Sequence, residues 1–442
     1  MFGQHRRTQQ RLTARREFAV PTGRAALKPV IRRRWPGKQE EAKRKTVSHV
    51  EAPARERVNA ARTDAPLALY IHWPFCVSKC PYCDFNSHVR ESVDQDAWRA
   101  ALIADMRHEG RLLSGRRVAS IFFGGGTPSL MPPATVAALI AEADRIWGLA
   151  ADCEITLEAN PSSVEAARFT DVAASGVNRV SLGLQALDDE ALAFLGRAHS
   201  VAEGLAALDV AQAVFDRVSF DLIYARPGQS LADWHGELAR ALSFGTEHLS
   251  LYQLTIEPGT RFATLAEKGA LEAVDPDTGA DLFELTRALT ARSGLPAYEI
   301  SNHARPGAES RHNLAYWRYR DYAGIGPGAH GRRGALATLR YKKPENWLTA
   351  VGRNGHGLQT EDALAPAERA REALVMGLRL AEGVNLADVA RRAGVDRDAL
   401  MDENAAGRLT ALGLIRRTGD GVVLTEAGMP LLDRILAEIV AI

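Results

Sequence analysis

Cysteine is scarce in this 442-residue chain, and long apolar runs are missing. The sequence has four cysteines, too few for a disulfide scaffold in a chain long enough to bury a large core. No stretch of 18 or more apolar residues occurs, so we expect no membrane-spanning segment. Hydrophobic residues make up 46% of the chain, which predicts an ordinary cytoplasmic protein of two or three domains.

Acidic residues are rare in residues 1–64. This segment has 17 Lys and Arg against 6 Asp and Glu, a net charge of +11. The remainder of the chain has 38 Lys and Arg against 48 Asp and Glu, a net charge of −10. It has few large apolar residues and no sustained helical or strand periodicity of apolar residues, which predicts a disordered extension. Three interpretations stay open: a transit peptide, a basic arm that contacts nucleic acid or anionic lipid, or extra residues upstream of the true start.

Three of the four cysteines lie close together, as Cys76, Cys80 and Cys83. A [4Fe-4S] cluster usually takes four thiolates, so three thiolates on one loop would leave one iron open for a substrate or cofactor. The alternative is a structural zinc site formed by the three cysteines and either His72 or His88. The ligand spacing of such zinc sites overlaps with the spacing of these cysteines. The loop follows an apolar run that predicts a buried strand rather than a short hairpin, and this favours the cluster.

From residue 67 onward, short apolar runs alternate with amphipathic stretches. The runs predict strands at residues 67–73, 118–123, 154–158, 179–184, 218–224 and 248–254. The stretches predict helices at residues 96–113, 133–147, 164–175, 201–215 and 232–244. Six strand–helix repeats indicate an α/β protein with a parallel sheet, curled or open, and helices outside it. Cys153, in the third run, is predicted to be a small buried apolar side chain.

Polar residues and glycines fall at or near the carboxyl ends of these predicted strands. In chain order they are Cys76, Gly124-Gly125-Gly126-Thr127-Pro128, Glu158, Gln185, Asp221 and Tyr252-Gln253. In parallel β/α barrels this end collects the catalytic residues. Glu158 could bind an ammonium, while Gln185, Arg197 and Asp221 could bind carboxylate and ribose groups. A single polar residue of this kind at a strand end more often has a structural role. Four of them together beside an open iron suit a ligand that carries an amine, a carboxylate and a sugar.

These motifs resemble the radical S-adenosylmethionine superfamily. The resemblance lies in Tyr70-Ile71-His72-Trp73-Pro74-Phe75-Cys76, in the Cys-x3-Cys-x2-Cys loop and in Phe123-Gly124-Gly125-Gly126-Thr127-Pro128-Ser129. Over residues 66–442, the sequence is most similar to the family of oxygen-independent coproporphyrinogen III oxidases and haem chaperones of the HemW type. The resemblance implies a partial (β/α)6 TIM-like barrel at residues 65–300. It also implies a [4Fe-4S] cluster whose open iron is chelated by the amino and carboxylate groups of S-adenosylmethionine.

The resemblance assigns roles to individual residues. It implies that the cluster ligands are Cys76, Cys80 and Cys83. Residues at positions that contact one S-adenosylmethionine in the family are Tyr70, Tyr82 beside the adenine, Gly125 near the amino group, and Glu158 as its acidic partner. The oxidases hold a second S-adenosylmethionine with residues that match Gly126, Thr127, Gln185, Arg197 and Asp221.

Two features separate the oxidases from the chaperones. The oxidases have a further cysteine two positions after the third ligand, where this chain has Phe85. In the connecting region, residues 301–364, His312-Asn313-Leu314-Ala315-Tyr316-Trp317 resembles the His-Asn-x-x-Tyr-Trp signature of the chaperones, whose histidine is implicated in haem binding. Imidazole is a natural axial ligand of haem iron, so the resemblance implies that His312 binds haem. Without the resemblance, an aromatic-rich segment with one histidine is more often part of the hydrophobic core.

Beyond residue 365 the pattern changes. Helices are predicted at residues 370–380, 386–393 and 397–409, then a hairpin that turns at Gly419-Asp420-Gly421, and a last helix at residues 430–440. This order predicts a winged-helix-like domain over residues 365–442. The helix at residues 397–409 has few basic residues, so we expect packing or partner docking rather than DNA binding.

The sequence therefore predicts a cytoplasmic haem chaperone that binds a [4Fe-4S] cluster, S-adenosylmethionine and haem. It would transfer haem to acceptor proteins, with membrane-bound respiratory enzymes as candidates, and would need an electron donor for the cluster; no nucleic-acid partner is expected. One alternative is an oxygen-independent coproporphyrinogen III oxidase, which decarboxylates its substrate oxidatively to protoporphyrinogen IX. A zinc-stabilised nucleic-acid adaptor is the other, using the basic extension and the winged helix.

Overall fold

The computed structural model describes residues 66–442, so the predicted basic extension lies outside the described residues. The strands are β1 (Leu67–Trp73), β2 (Phe75–Cys76), β3 (His88–Val89), β4 (Val118–Gly125), β5 (Leu149–Ala159), β6 (Arg179–Gln185), β7 (Arg217–Tyr224), β8 (His248–Gln253), β9 (Asn302–Ala304), β10 (Tyr322–Ile325), β11 (His330–Arg333), β12 (Leu336–Arg340), β13 (Leu358–Ala363), β14 (Val384–Asn385), β15 (Ile415–Thr418) and β16 (Gly421–Leu424).

The α-helices follow the strands in regular alternation up to β8. They are α1 (Gln95–Leu112), α2 (Pro133–Trp147), α3 (Ser163–Ala166), α4 (Phe169–Ala174), α5 (Asp189–Phe194), α6 (Val201–Val214), α7 (Leu231–Leu242), α8 (Arg261–Glu267), α9 (Pro276–Arg292), α10 (Arg311–Trp317), α11 (Pro344–Asn354), α12 (Pro366–Gly377), α13 (Leu386–Ala393), α14 (Glu403–Ala411) and α15 (Leu432–Ile439). Short 3-10 turns lie at Pro128–Leu130, Arg397–Ala399 and Met429–Leu431.

One large sheet organises residues 66–364. Its strand order is β13-β12-β11-β10-β1-β4-β5-β6-β7-β8-β9. The six predicted strands, β1 and β4 to β8, are parallel neighbours in chain order, which confirms the parallel α/β sheet and the partial barrel. The sequence did not predict β10, which pairs in parallel with the other edge of β1. Because β10 to β13 belong to the region predicted as a connection, that region extends the sheet, and the predicted domain boundaries stay predictions.

Alternate residues of each parallel strand point to opposite faces. One set is apolar and packs under the helices, as Ile121, Leu157 and Phe220 do. The other set is mostly polar and faces inward. Its polar members include Ser120, Thr156, Arg179, Ser181, Ser219 and Asp221. Arg179 donates to Thr156 Oγ1 at 3.3 Å and to Ser219 Oγ at 2.9 Å. The inner face of the barrel is therefore a connected polar surface.

Two predicted helices are divided in the structure. The stretch at residues 164–175 forms α3 and α4 with a turn between them. Its Arg168 donates to the carbonyl oxygens of Ser129 and Met131, which ties this turn to the neighbouring repeat. The stretch at residues 397–409 forms a 3-10 turn and then α14, because the Asp402 carboxylate accepts from the amide of Ala405 and begins a new helix there.

The C-terminal residues form a small domain with the predicted order of helices, hairpin and last helix. Helices α12 to α15 enclose an apolar core, and β14, β16 and β15 form a three-stranded sheet beside it. The hairpin between β15 and β16 turns at Gly419, whose φ of 59° favours glycine. The same core packs against Phe283, Ile300 and Tyr319 of the preceding region.

A buried ion-pair group joins α1 to the added strands. The guanidinium of Arg340, on β12, is 0% exposed; its Nε lies 2.6 Å from Asp105 Oδ2 and its Nη2 lies 3.0 Å from Glu109 Oε1. Asp105 also accepts from the amides of Gly326 and Gly357. These contacts hold residues 326–357 against the first repeat of the barrel.

We expect Arg340→Met to destabilise the protein strongly. The substitution leaves the buried Asp105 carboxylate without its cation, while Glu109 keeps Arg333, whose Nε lies 3.4 Å from Glu109 Oε2. Breaking a buried pair in this way costs about 3–5 kcal/mol. The free energy of unfolding, measured by urea titration, should fall by that amount. Arg434→Met, which removes the exposed pair of Arg434 with Glu438 on α15, should change it by less than about 0.5 kcal/mol. Equal effects of the two substitutions would contradict this account.

Candidate functional site

The three predicted cluster cysteines lie on one loop at the carboxyl end of β1. Cys76 ends β2, which pairs in parallel with β3, and the Cys83 amide donates to the Cys80 carbonyl at 3.2 Å. All three thiols are free and partly exposed. Burial raises the pKa of Cys76 and of Cys83, and the neighbouring thiols of the loop raise them further. A bound metal cation would reverse this effect, because it stabilises the thiolate form.

The glycine motif after β4 packs directly against this loop. A Cβ on Gly126 would lie 2.6 Å from the carbonyl oxygen of Phe75 and 3.0 Å from Cys76 Sγ. Gly125 has a φ of 118°, and a Cβ there would lie 2.5 Å from the ring of His72. Both positions therefore favour glycine: a side chain at 126 would push the cluster loop away, and one at 125 would meet the His72 ring on β1 in a backbone conformation that disfavours side chains.

A polar network connects the loop to the next two strands. Arg197 Nη1 donates to Cys80 Sγ at 3.4 Å, and its Nη2 donates to Asn160 Oδ1 at 2.6 Å and to the Gly183 carbonyl at 2.9 Å. Asn160 Nδ2 donates to Thr127 Oγ1 at 3.2 Å. No role was predicted for Asn160, although it stands in the Glu-Ala-Asn-Pro segment at the end of β5. This network places the Arg197 guanidinium beside the thiol of Cys80.

Two half-buried carboxyl groups face the inner surface of the barrel, Glu158 on β5 and Asp221 on β7, with β6 between these strands. Burial, together with the Asp221 carboxylate, raises the pKa of Glu158 to about 8. Burial raises the pKa of Asp221 to about 6, and the hydroxyl of Ser250 opposes this rise. The amide of Gly125 donates to Glu158 Oε2 at 3.2 Å. Buried acids with raised pKa values favour a cationic ligand, because its charge offsets their desolvation.

Gln185 and Tyr82 lie at the edges of the same site. Gln185 ends β6 with a φ of 71°, a left-handed conformation that is rare for a residue with a side chain. A Cβ on Gly183 would lie 2.8 Å from Gln185 Nε2 and 3.4 Å from Arg197 Nη2, so the two predicted side chains lie next to each other. Tyr82 packs near Phe262, with ring centres 6.4 Å apart.

Tyr70 begins a chain of hydrogen bonds across the site. Its hydroxyl donates to His72 Nδ1 at 2.9 Å, and His72 Nε2 donates to the Asn86 carbonyl at 2.9 Å. Burial lowers the pKa of His72 to about 4, which keeps the ring neutral. The Asn86 side chain donates to the carbonyl oxygens of Pro327 and Lys342, both at 2.9 Å. The residue three positions after the last cluster cysteine thus binds the 327–342 segment.

His312 lies deeper in the barrel. Its ring is 1% exposed, its Nδ1 lies 3.1 Å from Ser120 Oγ, and its plane stacks on Phe122 at 5.0 Å. Within residues 66–442, His312 Nε2 has no hydrogen-bond partner. Burial lowers the pKa of His312 to about 3, so the ring is neutral. Its ring also meets Tyr316 edge-on, with ring centres 4.8 Å apart.

A cavity of about 670 Å³ opens between the cluster loop and residues 316–342. Its lining includes aromatic, histidine and lysine side chains, among them Lys79, His88, Tyr316, Tyr322, His330 and Lys342. The predicted residues Tyr70, Gly125 and Glu158 form its inner end. The volume falls within the usual range for small-molecule sites. Sequence reasoning assigned no role to Lys79, His330 or Lys342, because nothing in the local pattern shows that two distant segments meet here.

Comparison with known proteins agrees with this geometry. Residues 70–240 match the Radical SAM superfamily and residues 364–431 match the HemN C-terminal domain. The chain is 44% identical to bovine mitochondrial radical S-adenosyl methionine domain-containing protein 1, over 72% of this chain and 74% of that protein. It is 37% identical to the heme chaperone HemW of Escherichia coli K12, over 84% of this chain and 97% of HemW.

The chain belongs to the HemW family of radical S-adenosylmethionine proteins. The solved structure of coproporphyrinogen III oxidase (HemN) from Escherichia coli superposes with a TM-score of 0.72 at 23% identity, over 85% of this chain and 91% of HemN. That likeness shows the shared fold. The predicted family and fold class are thereby confirmed, whereas the roles of individual site residues stay predictions.

Membership of the HemW family implies a [4Fe-4S] cluster and S-adenosylmethionine, and the cysteine loop fits the cluster. Within residues 66–442, no three His, Cys, Asp or Glu side chains are arranged to hold a single metal ion. A cluster binds its thiolates through separate irons, and three cysteines on one loop can supply three of them.

A [4Fe-4S] cluster held by these cysteines would supply, once reduced, an electron for cleavage of the sulfonium C–S bond of S-adenosylmethionine. The chain's own residues would bind and orient this ligand. Glu158, which accepts from the Gly125 amide, would bind the amino group if the predicted roles hold, and Arg197 would pair with a carboxylate. Gly126 leaves room beside Cys76 that a side chain would fill.

We expect Cys80→Ala to abolish the cluster, because only two thiolates would remain on the loop. Iron and acid-labile sulfide in the anaerobically reconstituted protein should fall to near zero, with loss of the visible absorbance. Cys153→Ala is the matched control, since Cys153 is 6% exposed on β5 and was predicted as a buried apolar side chain. A full iron content in Cys80→Ala would contradict the assignment.

Glu158→Gln should stabilise the cluster-free protein in alkaline solution and weaken S-adenosylmethionine binding. Between pH 4.5 and pH 8 the unfolded chain ionises Glu158 while the folded chain keeps it protonated, so the wild-type protein loses stability as the pH rises. The glutamine side chain does not ionise, so Glu158→Gln removes this loss of stability. At about 1.4 kcal/mol per pKa unit, the loss is worth about 2–5 kcal/mol at pH 8. Affinity for S-adenosylmethionine should fall about tenfold, because a hydrogen bond to a charged group is lost.

Urea titrations at pH 5 and pH 8 measure the first effect, and calorimetric titration of the reconstituted protein measures the second. Glu190→Gln, at an exposed position in the first turn of α5, should change neither quantity. If wild-type protein and Glu158→Gln had the same pH dependence of stability, the Glu158 carboxyl would not behave as described.

Proposed function

We propose that this chain is a haem chaperone that binds haem in the cavity beside its cluster loop and transfers it to acceptor proteins. The cavity is the observation that carries the proposal: it has about 670 Å³ and combines aromatic, imidazole and lysine side chains. The E. coli relative that aligns over 97% of its length is named a heme chaperone, which supports the same function here.

The chemistry of the cavity walls matches that of haem, a flat apolar ring with two propionates and an iron. Tyr316 and Tyr322 pack edge-on, with ring centres 4.4 Å apart, and present an aromatic wall for the porphyrin face. Lys79 on the cluster loop and Lys342 on the other wall can pair with the propionates. Histidine rings in the lining can bind the iron.

A direct haem-ligand role for His312 stays a prediction. The ring is buried among Phe122, Tyr316 and Tyr70, so these side chains separate it from the cavity in the described structure. In the described conformation His312 supports Tyr316, and Tyr316 lines the cavity. Its position therefore favours an indirect contribution to the haem site.

Phe85 favours the chaperone over the oxidase. It is 59% exposed and lines the cavity at the position where the oxidases have a further cysteine. A phenyl ring cannot supply the thiol chemistry of a cysteine, and it adds apolar surface for a porphyrin. The likeness to the E. coli oxidase structure, at 23% identity, extends to the fold only.

Haem acceptors and an electron donor are the partners that this function requires. Membrane-bound respiratory enzymes are candidate acceptors, and a donor would have to approach the partly exposed cluster loop. No helix among residues 66–442 is long and apolar enough to span a membrane. The cytoplasmic location stays a prediction, because mitochondrial relatives align at 44% and 43% identity.

Anaerobically reconstituted protein should bind haem and should not convert coproporphyrinogen III. Absorbance titration with haem is expected to show a saturable Soret band, and the bound haem should pass to a haem-free acceptor protein. Incubation with coproporphyrinogen III, S-adenosylmethionine and a reductant should yield no protoporphyrinogen. Turnover of coproporphyrinogen by a protein that does not bind haem would establish the oxidase instead.

A further inference from the structure

The cavity has two walls that come from distant parts of the sequence. The cluster loop provides Lys79 and His88, while the segment after α10 provides His330 and Lys342. His330 begins β11 and is exposed to the cavity. The Asn86 side chain joins the walls, since it donates to the carbonyl oxygens of two residues in the second wall.

Three alternate glycines bring His330 to this position. A Cβ on Gly326 would lie 2.4 Å from the His72 carbonyl oxygen, and a Cβ on Gly328 would lie 2.5 Å from Asn86 Nδ2. A Cβ on Gly324 would lie 1.8 Å from the carbonyl oxygen of His330 itself. Glycine at these positions therefore lets the segment approach β1 and the cluster loop closely, and the motif ends on the histidine that faces the cavity.

The histidines of the site differ in how their ring nitrogens are used. His72 is hydrogen-bonded through both nitrogens. His88 Nε2 lies 3.3 Å from Asn86 Oδ1, and His312 Nδ1 is engaged by Ser120. In the part of the chain that the structure describes, neither ring nitrogen of His330 has a hydrogen bond, although this ring lines the cavity. His330 is thus the cavity-lining imidazole with both nitrogens free for a metal.

Lys342 lines the same wall of the cavity as His330, so this wall presents a cation as well as the free imidazole. A porphyrin iron bound to an imidazole has its propionates within reach of neighbouring side chains, and lysine pairs well with carboxylates. On the opposite wall, Lys79 offers a second cation.

We propose that His330, rather than the buried His312, supplies the imidazole that binds the iron of haem in this cavity, with Lys342 and Lys79 beside the propionates. The inference rests on the proposed chaperone function and identifies the residue that holds its cargo. His312 then acts as a positioning residue, which stacks on Phe122 and supports Tyr316.

The test compares His330→Ala, His88→Ala and His312→Ala in the reconstituted protein that carries its cluster. Haem affinity comes from absorbance titration, and the axial ligand from EPR and resonance Raman spectra of the ferric haem complex. His330→Ala should lower haem affinity about tenfold or more and lose the imidazole signature. Added imidazole should restore that signature. His88→Ala, another cavity-lining histidine, should keep it, and so should His312→Ala even where affinity falls.

His330→Met provides a second variant in which the proposed ligand is exchanged rather than removed. A thioether ligand should shift the spectrum from the imidazole type, whereas a purely structural role of His330 would leave the ligand signature unchanged. An imidazole signature that persists in both His330 variants and disappears in His312→Ala would overturn this inference and leave the chaperone function standing. A wild-type protein that does not bind haem would overturn the proposed function itself.

Discussion

The alternation of side chains along the six parallel strands determines most of this structure. Apolar residues at every second position hold the helices to the sheet, and the residues between them are polar and meet on the inner face. Arg179, the first residue of β6, bonds to the neighbouring strands on both sides, and Glu158 and Asp221 stand on those same two strands. Burial that raises the pKa values of these acids also prepares them for a cationic ligand, so the packing of the barrel and the chemistry of the site have one cause.

A second constraint is the close approach of two distant segments. β10 pairs with β1, Asn86 bonds to a carbonyl 241 positions further along the chain, and glycines 326 and 328 permit the contact. The buried group of Arg340, Asp105 and Glu109 holds the same segment to α1. Without these contacts the cluster loop would be an open rim, whereas with them it forms one wall of a cavity that can enclose a porphyrin-sized ligand.

Local features were predictable where short-range physics determines them. The strand of residues 67–73 and the helices at 133–147 and 386–393 have the predicted bounds, because periodicity and caps lie within each segment. The glycines at the end of β4 were predicted to lie at the site, but their necessity follows from contacts with His72 and Phe75 that no local pattern displays. The divided helix at residues 164–175 was missed because Arg168 binds carbonyl groups of another repeat.

The sequence by itself determined the cluster loop, the parallel α/β sheet, the family and the order of elements in the C-terminal domain. Each of these depends on residue types at fixed spacing along the chain. Only the tertiary structure decided that His312 is enclosed while His330 faces a cavity, and that Lys79 and Lys342 stand on opposite walls. Exposure of a side chain depends on which distant segments pack around it, and long-range pairing such as that of β10 with β1 leaves no mark in local periodicity.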